Sequence, residues 1–180
     1  MDKIEVLGLY NITNRDKFIL NFINNNSINI EFEYLSDFIH TKILRDYIKD
    51  ICILMWLDSK NITRLILIID EMNNNSIEYW SKKWDLNKLR VNITKKIDKN
   101  QKETFELIVE VEDSWKWSRP KKALEMETLR AHQLKLWYAQ HSSIRWRGLF
   151  MIIVNLVDRL YFKDTSSWWL IVWIKKKIII

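Results

Sequence analysis

Glu71 and Asn75 stand four residues apart in "IIDEMNNNSIEY". In a helix that spacing stacks them one turn apart on a shared face. A carboxylate beside an amide oxygen can hold a water and a Mg2+ ion against a chain of phosphates. An Asn-rich helix end that simply frays into solvent would read the same way. Asp113 ends "TFELIVEVED". Period-two alternation puts it on the same face as Phe105, Leu107, Val109 and Val111. That face is apolar, and a carboxylate there needs a donor. The amino group of an adenine would serve, and so would the backbone of the following loop. A third stretch, "SIRWRGLFMIIVNLVD", runs from a loop into a helix N-terminus. Backbone N–H groups and the helix dipole favour anions at such a place. Lys116, Arg119, Lys121, Lys122, Arg145 and Arg147 surround these loops with positive charge, either as a cover over phosphates or as a solvated basic surface.

The elements that must position these residues follow from hydrophobic periodicity. Residues 28–34 alternate Ile28, Ile30, Phe32 and Tyr34 on one face, which predicts a strand. Residues 36–55 carry apolar positions at helical spacing, and residues 60–79 predict a second helix. On that second helix Leu65, Ile69, Met72 and Ser76 face away from the Glu71 side and can pack on a sheet. Residues 87–97 and 103–113 alternate as strands. Residues 114–146 form a polar, basic segment with a helical centre, and residues 148–159 read as a helix. "RLYFKD" and "LIVWIKK" are final strands joined by a tight connection at Thr165–Trp169. Short links between neighbouring strands imply antiparallel pairing with helices on one face. The expected fold is an α/β two-layer sandwich: a mostly antiparallel mixed sheet, covered on one face by helices. One domain spans 28–180, and residues 1–27 form an N-terminal extension with a short strand and helix.

The chain has 180 residues, a net charge of +6 and one cysteine. The charge suits a partner bearing phosphates, or simply a basic surface. Cys52 alone excludes an internal disulfide and fits a reducing cytoplasm. "MDKIEVLGLY" lacks the basic and apolar regions of a signal peptide. The apolar run near the C-terminus falls short of the ~20 residues needed to span a bilayer and reads as a buried strand. A cytoplasmic protein with no membrane segment is expected.

The tryptophans are out of place. There are ten, against two glycines; average usage predicts roughly 13 glycines in a chain this long. Trp56 and Trp80 follow predicted helices, where the position after the cap favours glycine. Trp137 follows the helical centre of the basic segment. Trp84 lies in a turn before a strand, Trp168 and Trp169 in a hairpin connection, and Trp146 just ahead of a helix. Only Trp173 sits inside a predicted strand, where tryptophan is at home. The ten tryptophans and two glycines together make 12, close to the average glycine count. We therefore read these positions as UGA codons, which some bacterial genetic codes assign to glycine. The many Ile, Asn and Lys residues agree with an AT-rich gene. The competing reading is a Trp-rich protein whose aromatics stack on single-stranded nucleic acid or lie at a membrane interface.

With glycine restored, "DEMNNNSIEYG", "VEDSGKGS", "RGRGLFMI" and "SSGGLIVGI" resemble, in order, the N, G1 and G2 boxes and the final hairpin of the GHKL ATPases. The resemblance covers roughly residues 28–176. "RGRGLFMI" followed by "VDRLYF" is most similar to the anti-sigma-factor serine kinases. The resemblance implies ATP and Mg2+ as ligands. It implies Glu71 as the acid that acts as general base or orients a water or hydroxyl, and Asn75 as the Mg2+-binding residue. Asp113 would accept from the adenine amino group, with positions Trp115 and Trp117 beneath the base. Trp146, Arg147, Gly148 and Leu149 would form the loop under the phosphates. The implied partner is a sigma factor or an antagonist protein that receives a phosphate on serine, with neither nucleic acid nor membrane involved. Relatives of this type are often homodimers.

The chain also departs from the pattern. Leu170 and Ile171 stand where many members carry a threonine near the adenine, and Glu78 replaces a basic residue common in histidine kinases. Tryptophan at 115, 117 and 146 would fill a nucleotide pocket. "IHTKIL" around His40 lacks the acidic residue and proline of a phosphoacceptor box, and His132 and His141 fall in the basic segment. A degenerate member of the same fold that only binds a protein partner is the nearest alternative.

Overall fold

The computed structural model describes residues 1–80, 83–97, 99, 101–113, 122–136, 156–166 and 170–179, with only the backbone described at 79–80 and 133–136. The elements are β1 (Asp2–Glu5), α1 (Val6–Leu9), α2 (Arg15–Leu20), β2 (Ile23–Asn24), β3 (Ser27–Leu35), α3 (Ile39–Leu54) and α4 (Ser59–Asn75). A π-helical turn over Ser76–Trp80 extends α4, and β4 (Leu86–Ile97), β5 (Glu103–Glu112), α5 (Ala123–Leu136), β6 (Arg159–Asp164) and β7 (Leu170–Ile179) follow.

The strands form a seven-stranded sheet in the order β1-β3-β4-β5-β7-β6, with β2 paired to β3. Among the described strands only β1 runs parallel to its neighbour; the other pairs are antiparallel. Alternation fixes which face is buried. Ile30, Val91, Val109, Ile174 and Leu160 lie opposite one another across β3, β4, β5, β7 and β6, and all are buried. A one-residue slip in any strand would turn that row to solvent. Leu44, Ile48 and Ile51 of α3 and Leu65, Ile68, Ile69 and Met72 of α4 close the core above it. The opposite face is held by charge. Arg90 lies 2.6 Å from Glu31 and 3.5 Å from Glu110, and it also pairs with Glu112. One apolar face and one ion-paired face make the molecule the expected α/β two-layer sandwich.

The first 27 residues share this core. β1 aligns with β3 from Asp2↔Ile30 to Glu5↔Glu33, and Ile4, Val6, Leu9 and Ile19 are buried in the common cluster. Among the described residues, no helix is long and apolar enough to cross a membrane. The helix expected to run to residue 159 has given way to β6 by Arg159; its first part, from 148 to 155, lies outside the described residues.

Two tryptophans take the left-handed backbone that favours glycine. At the end of α3, the Trp56 N–H donates to the Ile53 carbonyl at 3.0 Å and the Leu57 N–H to the Cys52 carbonyl at 3.0 Å. This is a Schellman motif, whose central residue takes a left-handed conformation. Trp56 has φ 66° and Trp84, in the turn before β4, has φ 73°. Left-handed backbone costs an L-residue about 1–2 kcal/mol and costs glycine nothing. Neither indole is buried in return: Trp56 is 81% exposed and Trp84 62%. The other left-handed residues described are Asn25 and Asn26, in the two-residue β2–β3 turn, and Gln101. Asparagine is the expected substitute for glycine in such a hairpin. Trp80 differs from its expected place, since it closes the π-helical turn rather than following the helix. Trp173 lies in β7 as expected, stacked on Tyr161 with ring centroids 4.0 Å apart. Trp56→Gly should therefore raise the melting temperature by about 2–4 °C, the shift that about 1 kcal/mol gives in a chain of this size. Trp173→Gly should lower it. Thermal melts followed by circular dichroism separate the two, and a loss of stability on Trp56→Gly would contradict the assignment of a glycine site.

Candidate functional site

The site is built from the C-terminal end of α4 and the matching ends of three strands. α4 starts at an Asp58 cap, whose carboxylate accepts from the Asn61 N–H at 2.9 Å. Its apolar positions bury Leu65, Ile69 and Met72 against the sheet and leave Glu71 partly exposed. Asn75 is the last α-helical residue. Its amide nitrogen donates to the Glu71 carbonyl at 2.6 Å and to Glu71 Oε1 at 3.1 Å. The two side chains thus touch, as their spacing predicted. With its nitrogen committed to Glu71, the Asn75 amide keeps Oδ1 as its acceptor atom. The helix then widens into the π turn beginning at Ser76, a feature that recurs at functional sites.

Asp113 follows β5 directly and is fully buried. It continues the helix-facing parity of β5, and its N–H donates to the Leu170 carbonyl at 3.3 Å. Leu170 is therefore its neighbour on β7. The adjoining strand ends are polar too. Tyr34 of β3 pairs with Asn87 of β4, and the Lys88↔Glu112 pair puts Asn87 opposite Asp113. Both are buried. The Tyr34 hydroxyl donates to Asn73 Oδ1 of α4 at 2.9 Å. Burial raises the pKa of that hydroxyl, and the Asp113 charge raises it further; the Ser76 and Asn87 side chains beside it pull the other way. A polar row of Tyr34, Asn87 and Asp113 thus ends an otherwise apolar sheet face, beneath the last turn of α4. Buried polarity concentrated in one place is more informative than exposed charge.

The structure brings Glu71 and Asn75 into contact and sets Asp113 into this row under the same helix end. Trp115, Trp117, Trp146, Arg147, Gly148 and Leu149 lie outside the described residues. Among the described residues no three His, Cys, Asp or Glu side chains gather as a metal cluster. Mg2+ does not need one, because it keeps several waters and binds through one or two protein oxygens together with substrate phosphates. The Asn75 oxygen beside the Glu71 carboxylate fits that donor set.

Helix α5 is docked at the far edge of the sheet. The Ala123 N–H at the start of α5 donates to Asp164 of β6 at 2.8 Å, and Arg130 donates to the Leu160 carbonyl at 2.9 Å. His40 is buried on α3 beside the Tyr10 hydroxyl at 3.3 Å, and burial lowers its pKa. His132 is exposed on α5.

Sequence reasoning missed Asn73 and Asn87, and took Tyr34 only for a core residue. The signal was present: Tyr34, Asn87 and Asp113 each continue the apolar parity of their strand with a polar group at one end of the sheet. No protein-family model matches the chain, and comparison with curated proteins returns no match.

Proposed function

We propose that the chain is a cytoplasmic, ATP-binding regulatory protein of the anti-sigma-factor serine-kinase type. Mg-ATP would lie between the end of α4, the residues that follow Asp113 and residues 146–149. One observation carries the reading: the Glu71–Asn75 pair and the buried Asp113 lie at one end of a helix-covered antiparallel sheet, beside Leu170. Asp113 accepts a hydrogen bond from the adenine amino group. Asn75 Oδ1 would hold Mg2+, which would neutralise charge on the phosphates. Glu71, hydrogen-bonded to Asn75, would take or orient the proton of the attacking hydroxyl. Transfer of the γ-phosphate then rests on positioning and charge stabilisation more than on covalent chemistry by the protein.

The reading includes glycine at 115, 117 and 146, where an indole would occupy the space of base and phosphates. The left-handed backbone of Trp56 and Trp84 supports it, since both sites ask for glycine in the same chain. The test is a titration of the full chain, with glycine at all ten tryptophan positions, against Mg-ATP. Saturable binding is expected, and no binding overturns the reading. Phosphate transfer from labelled ATP to a serine of a partner protein separates a kinase from a switch that only binds.

A further inference from the structure

Helix α3 carries two apolar stripes. Leu44, Ile48 and Ile51 close the core over the sheet and are buried. Ile39, Ile43 and Tyr47 stand at the i, i+4, i+8 spacing of a second face. That face meets Leu9 and Ile12 from the N-terminal residues, yet the space between them is not filled. A cavity of about 390 Å³ remains there, within the size range of small-molecule sites. Close-packed interiors leave few such spaces among apolar side chains. The exposed part of the lining is apolar as well: Ile39 is 65% exposed and Tyr10 49%. The Tyr10 hydroxyl donates to the Ile39 carbonyl at 3.2 Å and ties the two walls together.

The charges in the lining are not equally answered. Arg15 lies 3.3 Å from Asp50 and 3.8 Å from Asp46, with its guanidinium over the Tyr47 ring. Lys42 also lines the cavity, and it forms no ion pair among the described residues. The cavity thus offers apolar walls and one positive charge without a counter-charge.

We propose that this cavity between the N-terminal residues and α3 is a binding site for a small apolar carboxylate, whose head pairs with Lys42 and whose hydrocarbon body lies against Leu9, Ile12, Ile39 and Ile43. A singly charged head suits a single lysine. A phosphate would bring a second negative charge toward Asp46 on the same face of α3. At roughly 30 Å³ for each atom the size of a water molecule, a cavity of about 390 Å³ takes about a dozen non-hydrogen atoms. Burial of the body supplies the affinity, and Lys42 selects the sign of the charge. The site shares no residue with the one proposed for Mg-ATP, and no tryptophan lines it. It therefore stands or falls independently of the nucleotide reading.

The test titrates two probes into the full chain by calorimetry: octanoate and octylammonium, which share a hydrocarbon body and differ in charge. Octanoate should bind saturably and at least about tenfold more tightly than octylammonium. A basic chain could favour the acid at many places, so the decisive variant is Lys42→Glu. Lys42 is exposed on a helix surface, and its replacement should leave the melting temperature nearly unchanged. The order of the two probes should reverse, with octylammonium now the tighter. The proposal is overturned if the parent binds neither probe or binds both alike, or if Lys42→Glu keeps the parent's order. A parent that binds neither and elutes as a dimer, which Ile39→Glu makes monomeric, would assign the cavity to a second copy of the chain instead.

Discussion

Asn75→Ala is expected to remove Mg2+-dependent ATP binding while leaving the fold in place. Among the described residues its side-chain hydrogen bonds are local, to the carbonyl and the carboxylate of Glu71 one turn earlier. Losing them costs about 1 kcal/mol, and alanine returns part of that through its helix propensity. The ligand balance is different. On the proposed reading Asn75 Oδ1 binds Mg2+ directly, and a group that only supports a metal ligand already accounts for about 10–100-fold in affinity. A loss of at least about 100-fold is therefore expected for the ligand itself. Titrations with and without Mg2+, beside a thermal melt, read both effects. A variant that binds Mg-ATP within a few-fold of its parent would remove Asn75 from the metal site.

Asp113→Asn should move stability and binding in opposite directions. Asp113 is completely buried, and a neutral amide of the same shape is cheaper to bury than a carboxylate. The folded chain should thus melt no lower, and by this argument higher, than its parent. Binding should weaken by roughly 10- to 100-fold, because a charge-assisted hydrogen bond to the base is replaced by a neutral one. Residues kept for binding at the expense of stability behave this way. A drop in both quantities would make Asp113 a structural residue, tied to the backbone of β7 through Leu170, with no part in reading the base.

The strands were legible because each buries one face. Ile28, Ile30, Phe32 and Tyr34 announce β3, and the same alternation announces β4 and β5. The end of α3 was legible from chemistry rather than from period. Trp56 before a buried Leu57 has the spacing of a Schellman motif, and the left-handed φ followed. Other features lay beyond such rules. β1 has four residues with only Ile4 buried, too few to show a period, and its parallel pairing with β3 depends on α1 and α2 folding back over the core. The π turn after Asn75 could not be seen either: "SIEYW" continues the helical pattern, and its wider hydrogen bonding leaves no mark on hydrophobic spacing. Trp80 was misplaced for that reason. Of the site, Glu71 with Asn75 was readable from spacing and Asp113 from parity. Tyr34 was hidden because tyrosine passes for an apolar residue, and Asn73 because it stands between two more conspicuous asparagines.

We propose that this chain binds a nucleotide once glycine replaces the indoles at 115, 117 and 146. That proposal is tested most directly by titrating Mg-ATP into two full-length chains that differ only at the ten tryptophan positions, one as written and one with glycine throughout. The account predicts saturable, Mg2+-dependent binding by the glycine chain and none by the tryptophan chain. Equal behaviour of the two chains, whether both bind or neither does, would contradict it.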